Sequence, residues 1–411
     1  MRIGKFAAQH GVTQDTVRYY MERGLIIAQK QGEQYFFTQE DHRNMELILE
    51  WKELGFSLTS VLDLLTIQRL SGEPSDSFRN HYLSSLEHKQ AEINQEIEKL
   101  AALNRTIIDK IQDHKNTDAL EKPLLGFPLS SLNILICPDC KKPLHLSTGS
   151  LEHHMVMEAS ADCSCGYGSR IHQGVFIDEA SLRPKLLNDG PLPTKEEYIK
   201  STSHTYINYI YQTIAALAKH LEAVDEPAYI LELSNCSGMI LMQYINTLSK
   251  NTTYILVDHD LDRLMCLKRN LERHHDHKRF MFLATDFTRL PLANGTIDAI
   301  ADFGVSRKLY KENKTLLPTM MAELLNDNGS FMASSVYFGD NSKGRRDTMD
   351  PKGYYTKRWL LEQLDKATLR IIQETSVGPV FQEGASDEDL AEMELFQWVV
   401  RSVKSQRKSL N

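Results

Sequence analysis

No stretch of the 411-residue sequence approaches the roughly 20 consecutive apolar residues that a bilayer-spanning helix requires. The opening MRIGKFAAQHGV also lacks the continuous apolar core of a secretory signal. Positive charge is not in excess: the net charge of −8 argues against a protein that coats nucleic acid in bulk. Cysteine is scarce, six residues in all, which excludes a disulfide-built scaffold. Together these absences predict a cytoplasmic protein with no membrane partner. There is also no internal repeat of solenoid period.

An apolar content of 41% is that of a globular chain, and this length implies two to four domains. The pattern divides into four segments. Residues 1–75 read as short helices and tight turns, and 78–116 as one helix without Gly or Pro. Residues 123–185 are rich in Cys, Gly, Pro and Ser, which suggests short strands and loops. Across 195–405, apolar runs (YILEL, TYILVD, RFMFLAT, AIADFGV, SFMASSVYF) alternate with helical stretches, the mark of βαβ units around a parallel sheet.

In the first segment Gly11 separates a short helix from a second one that Thr13 caps, a helix-turn-helix whose second helix offers its first residues to the major groove. Thr13, Gln14 and Thr16 present hydroxyl and amide groups for base edges or phosphates, and Arg18, Tyr19 and Tyr20 present phosphate contacts. Residues 1–31 carry a local charge of +3, so the sign suits DNA. RIGKFAAQHGV, TVRYYMERGLI, the wing FFTQED and ELGFSLTSVLDLL closely resemble, in order, the bacterial MerR family of regulators. That resemblance implies a winged helix-turn-helix, double-stranded promoter DNA as partner and RNA polymerase at the promoter. The family's wing usually holds a Tyr-Arg pair. Gln34 and Tyr35 stand there instead, which removes one cationic phosphate contact.

In the second segment Leu86, Ile93, Leu100 and Ile107 recur at seven, joined by Ile97 and Ile111, with Gln90 and Asn104 as polar interruptions. This is a coiled-coil seam. The MerR resemblance implies that it forms an antiparallel homodimer.

In the third segment Cys137 and Cys140 form one Cys-x-x-Cys knuckle and Cys163 and Cys165 a tighter second one. Two such knuckles make a tetrahedral sulfur site, which predicts a small β zinc ribbon with a structural ion. Four thiolates leave no open coordination position for catalysis. His153, His154 and His172 are alternative ligands, and Cys236 and Cys266 are expected as buried thiols. CPDCKKPL and CGYGSRIHQGVFID resemble the ribbons that accompany some Class I methyltransferases.

In the last segment YILELSNCSGMILMQYI reads as strand, turn and helix, where a nucleotide-like ligand sits in a doubly wound sheet. Asp258 ends the next strand, where a carboxylate can accept both hydroxyls of a ribose, and Asp286 follows a third strand. This ordered set resembles the Class I S-adenosylmethionine-dependent methyltransferases, with an α/β doubly wound (Rossmann-like) fold. The resemblance assigns Glu232, Ser234, Gly238, Asp258, Asp286 and Phe287 to the cofactor. Ser234 and Cys236 occupy the places of two motif glycines, so only Gly238 remains of that set. ADFGVSRKLY offers Asp302, Arg307 and Tyr310 near the fourth strand, and no NPPY-like base-methylation signature occurs. The expected function is a promoter-binding regulator whose body holds S-adenosylmethionine or another small-molecule effector. The alternative is an active methyltransferase of a small molecule with its own DNA reader.

Overall fold

The computed structural model describes residues 1–32, 34–71, 75–116, 124–182, 200–234, 238–274, 279–339, 350, 352–381 and 393–405. The chain divides into two compact units, Met1–Leu120 and Glu121–Asn411.

The first unit opens with α1 (Ile3–Gln9) and α2 (Gln14–Glu22), and a wing follows from β1 (Gln29–Gln31) and β2 (Gln34–Phe36). Three helices complete it: α3 (Gln39–Glu53), α4 (Leu58–Ser71) and α5 (Asp76–Asn116). The turn between α1 and α2 falls on Gly11 at φ 66°, a left-handed conformation that only glycine adopts without cost. Thr13 caps α2 by accepting the Thr16 amide at 3.1 Å. At α3, Thr38 and Asp41 form a complete capping box, which fixes where the wing ends and the helix begins. Phe6, Val17, Phe37, Ile48, Trp51 and Leu65 are the centre of the core, with Phe6 and Phe37 stacked at 4.2 Å. From α4, Arg69 donates to the Gly24 and Leu25 carbonyls at 3.0 and 2.5 Å, which ties the end of α2 to the second helix pair.

Beyond that core α5 continues as one helix. Ile93, Ile97, Leu100, Ile107 and Ile111 are each between 47% and 57% exposed on it. The seam read from the sequence is therefore a solvent-facing apolar stripe in the single chain.

Among the described residues, the second unit is built on a sheet of twelve strands. Its centre consists of β8 (Tyr229–Ser234), β9 (Thr253–Asp258), β10 (Arg279–Ala284), β11 (Ile297–Phe303) and β12 (Leu325–Phe338). They are parallel and lie in the order β10-β9-β8-β11-β12. Alternate residues face two separate cores: Leu231, Ile255 and Met281 on one side, Ile230, Tyr254 and Phe280 on the other. That double burial is why these strands are unbroken apolar runs in the sequence. Strand order reverses between β8 and β11, so the crevice outside their carboxyl ends is the topological switch point where such folds take ligands. This is a doubly wound α/β fold.

Two strands beyond the five read from the sequence, β13 (Leu369–Phe381) and β14 (Glu394–Lys404), form an antiparallel pair, and β14 joins β12. The cysteine-rich segment supplies β3 (Phe127–Pro128), β4 (His145–Glu152), β5 (Met155–Asp162), β6 (Gly168–His172) and β7 (Val175–Ile177). These do not form a free-standing sheet. β7 pairs in parallel with β10, so the ribbon extends the doubly wound sheet from its edge. The apolar Val175, Phe176 and Ile177 are fully buried by that junction.

Candidate functional site

The reader face of the first unit is formed by α2 and the wing. Arg2, Arg18, Gln34 and Tyr35 are among the residues lining a groove of about 890 Å³. Thr13, Gln14, Arg18 and Tyr19 are exposed and Thr16 is half-buried, so α2 presents its N-terminal half to solvent. Arg18 pairs with Asp15 at 2.8 Å, an exposed contact that water weakens and a phosphate can replace. In the wing Lys30 lies directly across from Tyr35, with Nζ 5.9 Å from the ring centre. A cation thus stands beside position 35, on the neighbouring strand. Tyr20 departs from expectation. With Val17 it lies on the inward side of α2, three residues apart, and it is only 8% exposed. It is core, not reader.

In the second unit the four cysteines converge. Their Sγ atoms all lie within 4.8 Å of one another, with Cys137–Cys165 at 3.6 Å and Cys140–Cys163 at 3.3 Å. A tetrahedron with zinc–sulfur bonds of about 2.3 Å separates sulfurs by about 3.8 Å, so the set fits a metal ion. Each knuckle is tied by its backbone: Cys137 donates to the Lys142 carbonyl at 2.8 Å and Cys163 to the Tyr167 carbonyl at 2.8 Å. The Cys165 amide beside the Cys163 sulfur lowers that thiol, while burial raises Cys137. The histidines are elsewhere. His172 contacts Glu158 at 3.0 Å, and His153 and His154 are exposed in the turn between β4 and β5.

The cysteine cluster is fastened to the loop after β10. Arg289 binds Asp139, which lies between the first two cysteines, at 2.8 Å, and its Nε stands 3.6 Å from Asp178. Asp178 is fully buried at the end of β7, with Arg289 as the cation beside it and the Tyr167 phenol near it. Burial and the Asp178 charge together push the Tyr167 phenol well above its usual range. Ser181 Oγ, three residues on, contacts Thr285 Oγ1 at 2.9 Å and accepts the Asp286 amide at 3.3 Å. Sequence reasoning singled out none of Asp139, Asp178, Ser181 or Arg289. Their partners are too distant in the chain to be read locally.

At the strand ends, Glu232 is 1% exposed, and its carboxylate accepts the amides of Gly238 at 2.9 Å and Leu241 at 3.0 Å and the Tyr254 hydroxyl at 2.9 Å. Burial raises its pKa, while these donors favour the ionised form. It holds the start of the helix Met239–Tyr244 in place. Gly238 has φ 87°, and a Cβ there would come within 2.9 Å of Leu267, so backbone and packing alone demand glycine. Asn235, Cys236 and Ser237 lie outside the described residues, Cys236 with them.

Asp258 ends β9 as the sequence indicates. Its Oδ1 accepts Arg263 Nη2 at 2.6 Å and the Asp260 amide at 2.9 Å. Asp286 follows β10 and folds back on Thr288, accepting its amide at 2.8 Å and its hydroxyl at 2.6 Å. Phe287 is 7% exposed, in the core with Leu283 and Leu290. Asp302 at the end of β11 is a helix cap: it accepts the Val305 amide at 2.7 Å, and burial raises it to about 6. Cys266, expected buried, is exposed on the helix Leu261–His274.

The first unit is thus a winged helix-turn-helix reader with a long helix behind it. Residues 1–66 match the sequence profile of the MerR HTH family regulatory proteins, and residues 43–109 match that of MerR, DNA binding. The mercuric resistance operon regulatory protein of Bacillus cereus is 30% identical over 128 residues, 30% of this chain and 93% of that protein. The HTH-type transcriptional regulator ZntR of Escherichia coli K12 is 36% identical over 69 residues, 16% of this chain and 49% of that protein. The chain belongs to the MerR family. Among solved structures, a geranyl diphosphate methyltransferase in complex with SAM is 13% identical, covering 56% of this chain and 96% of its own, with a TM-score of 0.38. The N-methyltransferase NodS of Bradyrhizobium japonicum is 15% identical, covering 48% and 98%, with a TM-score of 0.34. The fold assignment rests on strand order alone.

Proposed function

We propose that the protein is a promoter-binding transcription regulator whose second unit is its sensor. One observation carries this reading: a complete MerR reader shares a chain with a doubly wound body whose acids Asp258 and Asp286 stand at the carboxyl ends of adjacent strands. S-adenosylmethionine, or another small-molecule effector, is held there, with Asp258 toward the ribose once Arg263 yields and Asp286 toward the base. Glu232, Ser234 and Gly238 support that site by shaping the loop and the helix start. The relatives are regulators by name, which agrees with promoter DNA as the partner of Thr13, Gln14, Thr16, Arg18, Tyr19 and Tyr35.

The functional segments are then a reader at 1–75, a dimer helix at 78–116, a ribbon at 123–185 and a sensor at 195–405. A second copy covers the apolar stripe of α5, since two half-sites need two readers. The cysteine site holds a structural zinc ion. Effector binding shifts the population of two head arrangements, and RNA polymerase responds to the distorted promoter. The helix-cap role of Asp302 favours this sensor reading over an enzymatic one, because its carboxylate is turned to backbone amides.

Calorimetry with S-adenosylmethionine on the full chain, beside footprinting on the DNA upstream of its own gene, tests the proposal. Binding to one site per chain and a footprint that changes with ligand are expected. No heat at millimolar ligand removes this cofactor from the account. Asp258→Asn should abolish the binding, and unchanged affinity would show that the ribose site lies elsewhere.

A further inference from the structure

The loop that carries Asp286 lies between two stretches of chain that each adjoin a cysteine pair. On one side residues 134–136 lead directly into Cys137 and run antiparallel to the chain after the loop, with Leu135 paired to Leu292. The Ile136 amide donates to the Pro291 carbonyl at 3.0 Å and the Ala293 amide to the Ile134 carbonyl at 2.9 Å. On the other side β6 and β7 follow Cys163 and Cys165. β7 pairs with β10 as far as Ala284, and the Asp178 amide adds a bond to the Ala284 carbonyl at 3.0 Å. Ser181 Oγ then meets the Thr285 hydroxyl and the Asp286 amide, and all three residues are buried.

Arg289 closes the frame. Its guanidinium binds Asp139, between Cys137 and Cys140, and stands beside the buried Asp178. Its backbone belongs to the loop itself: the Arg289 amide donates to the Asp286 carbonyl at 2.9 Å, and the Arg289 carbonyl accepts the Thr285 hydroxyl at 3.4 Å. Asp286 and Arg289 are thus the two ends of one hydrogen-bonded turn, and a shift at either is felt at the other. The second knuckle joins through Tyr167, which packs with Cys137 and Cys163. All four cysteines are free thiols, so a bound ion, and no disulfide, is what fixes one knuckle against the other. Four thiols satisfy such an ion by themselves, so the polar bridge from Asp139 to the loop adds nothing to coordination.

We propose that the four-cysteine zinc site is a latch on the ligand site: it sets the position of the Asp286 loop, so that the ion and the ligand tighten each other's binding. Asp139, Arg289 and Ser181 are the positioning residues between them. The ligand half of this rests on the sensor reading, in which Asp286 meets S-adenosylmethionine. Coupling between two sites is reciprocal, so the factor by which the ion raises ligand affinity is the factor by which the ligand raises ion affinity. The ribbon is then a second input to the sensor as well as a clamp on the sheet edge.

The test uses the full zinc-loaded chain. Zinc affinity is measured by chelator competition, with and without S-adenosylmethionine at a concentration that saturates each protein, and ligand affinity by calorimetry. In the parent the ligand should raise zinc affinity by about fivefold or more. Asp139→Asn and Ser181→Ala leave all four thiols in place, so zinc content should stay at about one per chain. Each should lower ligand affinity and the coupling factor, and together they should remove the factor. Were ion and ligand linked only through the stability of the body, the double variant would melt lower and keep it. Hydrogen exchange at the amides of residues 285–289 needs no ligand, and it should be faster in the double variant than in the parent. Faster exchange there, with no S-adenosylmethionine bound by the parent, sinks the sensor reading and leaves the loop latched to the zinc site. A parent that binds the ligand with no change in zinc affinity, or a double variant that keeps the parent's coupling factor, overturns the latch and leaves the sensor. Unchanged exchange together with no ligand binding removes both.

Discussion

The two units solve opposite problems with similar residues. In the reader, Thr13, Gln14, Arg18 and Tyr19 come from one helix and point into solvent, and their closest ties are to residues three or four positions away. In the body, Asp258, Asp286, Asp302 and Glu232 are buried, and each already holds amides or a cation. A surface that meets a polyanion needs donors in a fixed order and little else. A pocket inside a sheet needs its charges compensated before any ligand arrives. Changes in the reader should therefore act one residue at a time, and changes in the body should spread.

The largest expected effect is on the body. Cys163→Ala removes one ligand from a site whose metal contributes on the order of 10 kcal/mol to folding in small zinc modules. Metal content should fall from about one per chain to near zero. Because β7 is hydrogen-bonded to β10, the melting transition of the whole body should fall with it, while that of the reader does not move. Full metal content in the variant would falsify the four-cysteine site. A loss of metal with an unchanged melt would show that the ribbon and the doubly wound sheet are energetically separate.

Next in size is Arg289→Ala, which leaves Asp178 buried without its cation and unties Asp139. Removing one partner from a buried pair costs about 3–5 kcal/mol, and solvent access to Arg289 puts this case at the low end. The same change frees the loop that positions Asp286, so affinity for S-adenosylmethionine should fall even at temperatures where the variant is fully folded. Promoter affinity of the ligand-free protein should not change. A variant that melts and binds as the parent does would reduce the Arg289 bridge to a surface contact.

The same contrast decides what was legible. The Thr13 cap and the Gly11 turn are local signals, and both stand where the sequence put them; the Thr38 capping box is equally local and went unread. The central strands were legible because double burial makes them continuous apolar runs. β13 and β14 were missed, although LRIIQETSVGPVF and ELFQWVVRSVK carry strand-forming residues: their pairing is antiparallel and partly exposed, so polar residues interrupt the pattern. The strand pairing that joins ribbon and sheet involves three residues of β7, too few to give a period. The places of Asp258 and Asp286 after strands were legible, but the Arg263 pairing with Asp258 and the contact of Arg289 with Asp178 have no local signature. Tyr20 shows the limit within the reader itself: one helical step turns a tyrosine from groove to core.

On the reader, Arg18→Ala should weaken DNA binding by about tenfold on any sequence and lower the salt dependence by about one ion. Tyr20→Phe keeps the buried ring and removes a hydroxyl the reader does not present, so affinity should stay within about twofold. Fluorescence anisotropy over a salt series separates the two. A Tyr20→Phe loss as large as that of Arg18→Ala would return Tyr20 to the DNA face and break the one-residue rule for this unit.

The smallest effect concerns pH. His10 Nε2 and His42 Nδ1 meet at 2.7 Å between α1 and α3, next to Phe6 at the centre of the core. Burial, and then the charge of His42, lowers the pKa of His10 from its ordinary 6.5, with Glu46 opposing. As pH falls through 6.5 the unfolded chain therefore takes up a proton before the folded reader does. The stabilising contribution of neutral His10 is complete above that pH and is lost progressively below it. His10→Gln keeps a hydrogen-bonding side chain and cannot titrate. Its reader should show a flatter melting profile between pH 7 and pH 5 than the parent, while the melting of the body follows the same curve in both proteins. Parallel profiles for the reader would place its acid sensitivity in another group and leave the His10–His42 contact as packing alone.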